Sequence, residues 1–163
     1  MVTSRYVKMV KTTYAEIDRD TAENKVNKIL DIIDKNGGKV VNITHNNLGI
    51  GLSTVYWTFV IVYEAESEIP ASVFDGENGS DSNRKSRYIK MVKTTYNEIE
   101  KDVSDVTINS ASEIISKNGG RIITITHDNM GVGFSTVYWV FVITYEATAA
   151  IPQSAFDAIV NKK

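Results

Sequence analysis

The chain reads as an α+β protein built by tandem duplication of one β-α-β-β unit, and three observations predict it. Residues 4 to 75 return at 86 to 157 under a constant offset of 82, matching without a gap at 42 of 72 positions. Within each copy the apolar period runs from two, to 3.6, and back to two, the pattern of a strand, an amphipathic helix and further strands. The last strand of each copy is apolar on both faces, which marks a central strand covered on both sides. A period of about 80 residues is longer than that of a solenoid repeat, so each copy is expected to be a small domain with its own core. The predicted organisation is a covalent pseudo-dimer: a first repeat over 4–75, a linker over 76–85 and a second repeat over 86–157.

The first strand is predicted at residues 5 to 14, RYVKMVKTTY, where apolar and polar side chains alternate. Asp20 then precedes a segment in which Val26, Ile29, Leu30 and Ile33 recur at helical spacing, with Glu23 where a capping-box acid would stand. The helix should stop at Lys35-Asn36-Gly37-Gly38, because a glycine after the last turn takes the left-handed conformation; Lys117-Asn118-Gly119-Gly120 repeats the signal. The second strand, KVVNITHN, places Val41, Ile43 and His45 on one face. The third, STVYWTFVIVYEA, carries Val55, Trp57, Phe59, Ile61 and Tyr63 on one side and Tyr56, Thr58, Val60 and Val62 on the other.

Placing the two-sided third strand between its neighbours gives the order 1-3-2, an antiparallel and mixed sheet with a right-handed crossover and one helix on one face. One helix covers only one face. The other offers Tyr56, Val60, Val62 and Val10, a patch that must meet the second repeat or another chain, by back-to-back packing or by further oligomerisation. The segment 76 to 85, GENGSDSNRK, is polar and aperiodic, as a linker is. Before it, IPASVFD matches IPQSAFD, so each copy is expected to end in a short helix packed through Phe74 or Phe156. The helices diverge most, with Ile29 replaced by Ala111 and Leu30 by Ser112, so either their neighbours differ or the second tolerates a smaller core.

Composition narrows the function. A net charge of -2 without a Lys/Arg cluster gives no basic field for duplex nucleic acid. The absence of Cys excludes disulfides, thiolate metal sites and a Cys nucleophile. The start MVTSRYVKMVK has no signal-peptide run, and no segment reaches the roughly 20 apolar residues of a membrane span, so a soluble, cytoplasmic protein is expected. One His per repeat beside Asn is too poor a donor set for a metal, and GxSxG and GxxxxGKS are absent. A GxG pair without a following helix is no dinucleotide fingerprint, so neither metal nor cofactor is expected.

The candidate site is the connection between the second and third strands, THNNLGIGLSTVYW at 44 to 57 and THDNMGVGFSTVYW at 126 to 139. Gly49 and Gly51, like Gly131 and Gly133, allow a tight turn whose amides approach an anion. The bland alternative is an ordinary hairpin loop tied down by Ser and Thr. His45, Asn47, Ser53 and Thr54 add donors, as do His127, Asn129, Ser135 and Thr136. Tyr56 and Tyr138 are candidate stacking platforms, whereas Trp57 and Trp139 share a face with core residues. The two histidines could also act as an acid-base pair on a phosphodiester, against the plainer reading of a hydrogen-bonded structural His.

The β-α-β-β pattern, with GGKVVNIT and TFVIVYEA, resembles small proteins of Gram-positive bacteria and their phages, some known as sporulation proteins. A broader likeness is to phage proteins that sequester nucleotide immune signals. These resemblances imply the fold, and a non-enzymatic oligomer holding ligand between subunits. The leading expectation is therefore a non-catalytic protein binding a small, anionic, nucleotide-like ligand in pockets between repeats or subunits, with self-association. An oligomeric assembly protein without ligand is the first alternative, and a His-dependent phosphodiesterase the second.

Overall fold

The computed structural model describes residues 2–50, 54–75, 85–132 and 136–160, with the backbone alone at 18, 47–50, 54–55, 129–132, 136–138, 158 and 160. Each repeat follows the predicted plan. The first contains β1 (Ser4–Thr13), α1 (Tyr14–Asp18), α2 (Ala22–Lys35), β2 (Lys39–Ile50), β3 (Thr54–Ala65) and a 3-10 turn, Ala71–Asp75. The second contains β4 (Ser86–Thr95), α3 (Tyr96–Glu100), α4 (Ser104–Lys117), β5 (Arg121–Val132), β6 (Thr136–Ala147), a 3-10 turn Gln153–Phe156 and α5 (Asp157–Val160). The sheets have the orders β1-β3-β2 and β4-β6-β5, with the central strand antiparallel to both neighbours. The 3-10 turns bury Phe74 and Phe156, as the IPxSxFD match implied.

Three local expectations change. The capping box lies earlier than predicted: Glu16 N–H donates to Thr13 Oγ1 while the Glu16 carboxylate accepts from Thr13 N–H, so β1 ends at Thr13 and a one-turn helix starts at Tyr14. Asp20 instead takes a left-handed turn (φ 60°), and α2 starts after Thr21 with no side-chain cap. In β2, a bulge between Val40 and Asn42 shifts the alternation, so Val40 joins Ile43 in the core and Val41 turns away. On β1, Val10 lies opposite Phe59 in the core beneath the helix rather than on the uncovered face, which carries Val7 and Met9.

The helix stops form as predicted. Gly37 and Gly119 have φ of +80° and +82°, the left-handed region. Behind them, a Cβ on Gly38 would lie 2.6 Å from the Ile33 side chain, so only glycine fits between helix end and sheet.

The repeats do not pack back to back. A single apolar cluster joins α2 and the helix side of the first sheet to Ile89, Val140 and Val142, which lie on the side of the second sheet facing away from α4. The stacking order is thus head to tail, with the first repeat's helix side against the second repeat's bare side. That answers why the helices diverged: α2 has a second sheet as neighbour, and Leu30 is buried, while its counterpart Ser112 is half-exposed.

Candidate functional site

Polar side chains of α2 finish the edge of β4. The Asn27 side-chain amide donates to Ile89 C=O at 2.9 Å and accepts from Ile89 N–H at 2.7 Å, acting as one residue of an extra strand. Glu23 accepts from Met91 N–H at 2.7 Å and pairs with Lys90 at 3.3 Å. Burial pushes the Glu23 carboxyl above its ordinary range, with Lys90 and the Met91 amide opposing that shift. The residue read from sequence as a capping acid is in fact a contact between repeats. One turn on, Tyr88 donates to Asp31 at 2.5 Å; burial raises both groups, and the carboxylate further holds the phenol protonated.

The histidines stand on the helix side of their sheets, each stacked on a tryptophan: His45 on Trp57 at 4.9 Å and His127 on Trp139 at 5.2 Å between ring centroids. His45 Nε2 shares a 2.7 Å hydrogen bond with Thr126 Oγ1 across the repeat junction. Burial lowers the His45 pKa, Asp128 opposes that, and His127 adds to it. One nitrogen of His45 is thus engaged in a contact between the repeats. Tyr56 lies on the opposite side of the sheet, half-exposed, with the Lys11 ammonium 4.9 Å from its ring centre. The structure therefore separates His45 and Tyr56 onto opposite faces instead of gathering them round one ligand.

Gly51, Ser53, Gly133 and Ser135 lie outside the described residues. Asn47, Gly49, Thr54, Asn129, Gly131, Thr136 and Tyr138 lie on strands whose backbone alone is described; Asn47 stands opposite Trp57 and Gly49 opposite Val55.

The structure draws attention to a different place. A cleft of about 230 Å³ opens between the repeats, walled by the Gly37-Gly38-Lys39 turn of the first, by Lys85 at the end of the linker, and by Ser86 and Arg87 of the second. Asp34 and Glu146 also line it. Arg121 lies 2.5 Å from Glu146, so that carboxylate already has a cation, while Arg87 donates to the Val41 carbonyl in the bulge at 2.6 Å. Three cations thus converge on a space that neither repeat forms alone. Sequence reasoning passed over them because Lys39 is 46 positions from Lys85, although the run Arg84-Lys85-Ser86-Arg87 and a basic residue after Gly-Gly in both copies, Lys39 and Arg121, were readable signals. A larger cavity, about 520 Å³, lies along α3 and α4 and is walled mainly by Val103, Val106 and Ile159 beside Asn97 and Lys101. Among the described residues no cluster of three acidic or His side chains could hold a metal ion, and no helix is long and apolar enough to cross a membrane.

No family model matches the chain, and no curated protein does. Among solved structures it is similar to the crystal structure of an unknown protein from Galdieria sulphuraria, at 10% identity over 98% of this chain and 89% of that one, with a TM-score of 0.31. A likeness of that size carries no argument.

Proposed function

We propose that the protein is a non-catalytic binding protein that holds a small anion of the nucleotide class, through its phosphate, in the cleft between the repeats. The observation that carries this reading is the convergence of Lys39 of the first repeat, Lys85 of the linker and Arg87 of the second repeat on one cleft. Ammonium and guanidinium groups are the natural donors for phosphate oxygens. The cleft's 230 Å³ falls below the roughly 300–1,000 Å³ of a pocket enclosing a drug-sized ligand, which suits a phosphate or sugar phosphate with its base outside. A protein that only holds such a ligand lowers its free concentration in proportion to its own, the role implied by the likeness to nucleotide-sequestering phage proteins. The phosphodiesterase reading is weaker, because His45 Nε2 is engaged by Thr126.

The test is native mass spectrometry of the protein with nucleotides, cyclic dinucleotides and NAD-derived compounds. An adduct that is lost in Lys39→Glu/Lys85→Glu, and weakened by salt, is the expected result. No adduct with the unaltered protein, or one indifferent to the double substitution, sinks the reading. Conversion of the ligand that stops in His127→Ala would make the protein an enzyme instead.

A further inference from the structure

The internal junction has two sides, and each end of the molecule presents one of them unused. Inside the junction, Trp57 and Ile43 on the helix side of the first sheet are 0% and 6% exposed; their counterparts Trp139 and Ile125 are 37% and 46% exposed. On the other side of the junction, Ile89 is 0% exposed, while its counterpart Val7 is 59% exposed and Met9 beside it is also bare. The second sheet's helix side lacks the cover that the first has, and the first sheet's bare side lacks the cover that the second has. Each missing cover is what the other end of the molecule offers.

The polar contacts are duplicated along with the apolar ones. Asn27, which finishes the edge of β4 at Ile89, corresponds to Asn109, exposed on α4. Val7 stands opposite Val62 on β1 as Ile89 stands opposite Thr144 on β4, so its N–H and C=O point out of the same kind of open edge. Glu23, which accepts from Met91, corresponds to the exposed Asp105, and Met91 to Met9. His45, bonded to Thr126, corresponds to the exposed His127, and Thr126 to the exposed Thr44.

We propose that a second copy of this chain docks on these faces, with the α4 side of one molecule seated on the β1 edge and bare face of the next, repeating the internal junction between chains. Asn109 then bridges the backbone of Val7, Asp105 takes the Met9 amide, and His127 meets Thr44. The contact is heterologous, so copies assemble head to tail into a ring or a filament rather than as an isologous pair. Ser112, where the internal junction has Leu30, leaves the contact between chains less apolar and weaker than the one within the chain.

Light scattering and native mass spectrometry of the full chain test this against the monomer mass of 18.1 kDa. The unaltered protein is expected as a multimer. Val7→Glu spoils only one end and Asn109→Arg only the other, so each alone should be a folded monomer, checked by circular dichroism. Mixed one to one, they should form a two-chain species, because one good end of each kind remains. Should Val7→Glu unfold, Met9→Glu at the same end serves in its place. Ser112→Leu should tighten association by about tenfold or more. A monomeric parent overturns the proposal, as does a multimer unchanged by either charge substitution, or a mixture that stays monomeric.

Discussion

Trp57 and Trp139 sit in almost identical sequence, on the same strand of the same unit, each stacked on a histidine. One is fully buried and the other is more than a third exposed. Nothing local separates them; the difference is that the first repeat's helix side has the second repeat's sheet above it and the second repeat's has only α4. Burial is thus a property of position in the stack as much as of the residue, and the duplicated chain is its own control for that statement.

Trp57→Ala is expected to cost the most, about 3–5 kcal/mol, since it opens a closed cavity, while Trp139→Ala should cost less than about half as much. Urea denaturation of the two variants, under conditions where the parent is monomeric, checks it, and equal losses would break the contrast. Next, Asn27→Ala should lose about 2–3 kcal/mol by leaving the Ile89 N–H and C=O buried without partners, whereas Asn109→Ala should be close to neutral in the monomer. Gly38→Ala and Gly120→Ala sharpen the comparison from the other side. Their added Cβ atoms would lie 2.6 and 2.5 Å from Ile33 and Ile115 within each repeat's own core, so both should cost a similar 1–3 kcal/mol, roughly. A large difference there would mean that the two cores themselves, and not their covers, are unlike.

The smallest effect is on pH dependence. Burial lowers the His45 pKa in the folded state, so the unfolded chain takes up this proton first. Its contribution to stability is complete above the unfolded value, about 6.5, and is lost as pH falls through that value toward the lower folded one. Glu23 has the opposite sign: a raised carboxyl pKa relieves a cost as pH falls through the folded value. Because Glu23 is common to both proteins, the difference between the parent and His45→Gln isolates the histidine. The parent should lose more stability between pH 7.5 and 5.5; an equal loss in His45→Gln would remove His45 from the account.

The unit was legible because its signals are local. Period-two strands, an apolar helical stripe, Gly-Gly stops and a third strand apolar on both faces each act within a few residues, and the offset of 82 doubled every one of them. What stayed hidden was of another kind. The bulge at Val41 depends on how β2 meets β3, and the roles of Glu23 and Asn27 depend on a strand more than 60 residues away. Glu23 in the first turn of a helix looks like a cap until a β4 edge is placed beside it. Of the candidate site, the sequence singled out residues with recognisable chemistry, His45 and Tyr56 among them, but alternation along strands sends those two to opposite faces. Lys39, Lys85 and Arg87 matter only through their meeting, which no single stretch of chain encodes.

By itself, then, the sequence determined the repeated β-α-β-β unit, its strand order and its Gly-Gly helix stops, since hydrophobic periodicity and backbone preference act over a few residues. The tertiary structure alone decided that the units stack head to tail, that one tryptophan is sealed and its twin left open, and that Lys39, Lys85 and Arg87 meet in a cleft between them. Those outcomes depend on which face of one unit removes the other's apolar surface from water, a choice made between whole surfaces and therefore invisible residue by residue.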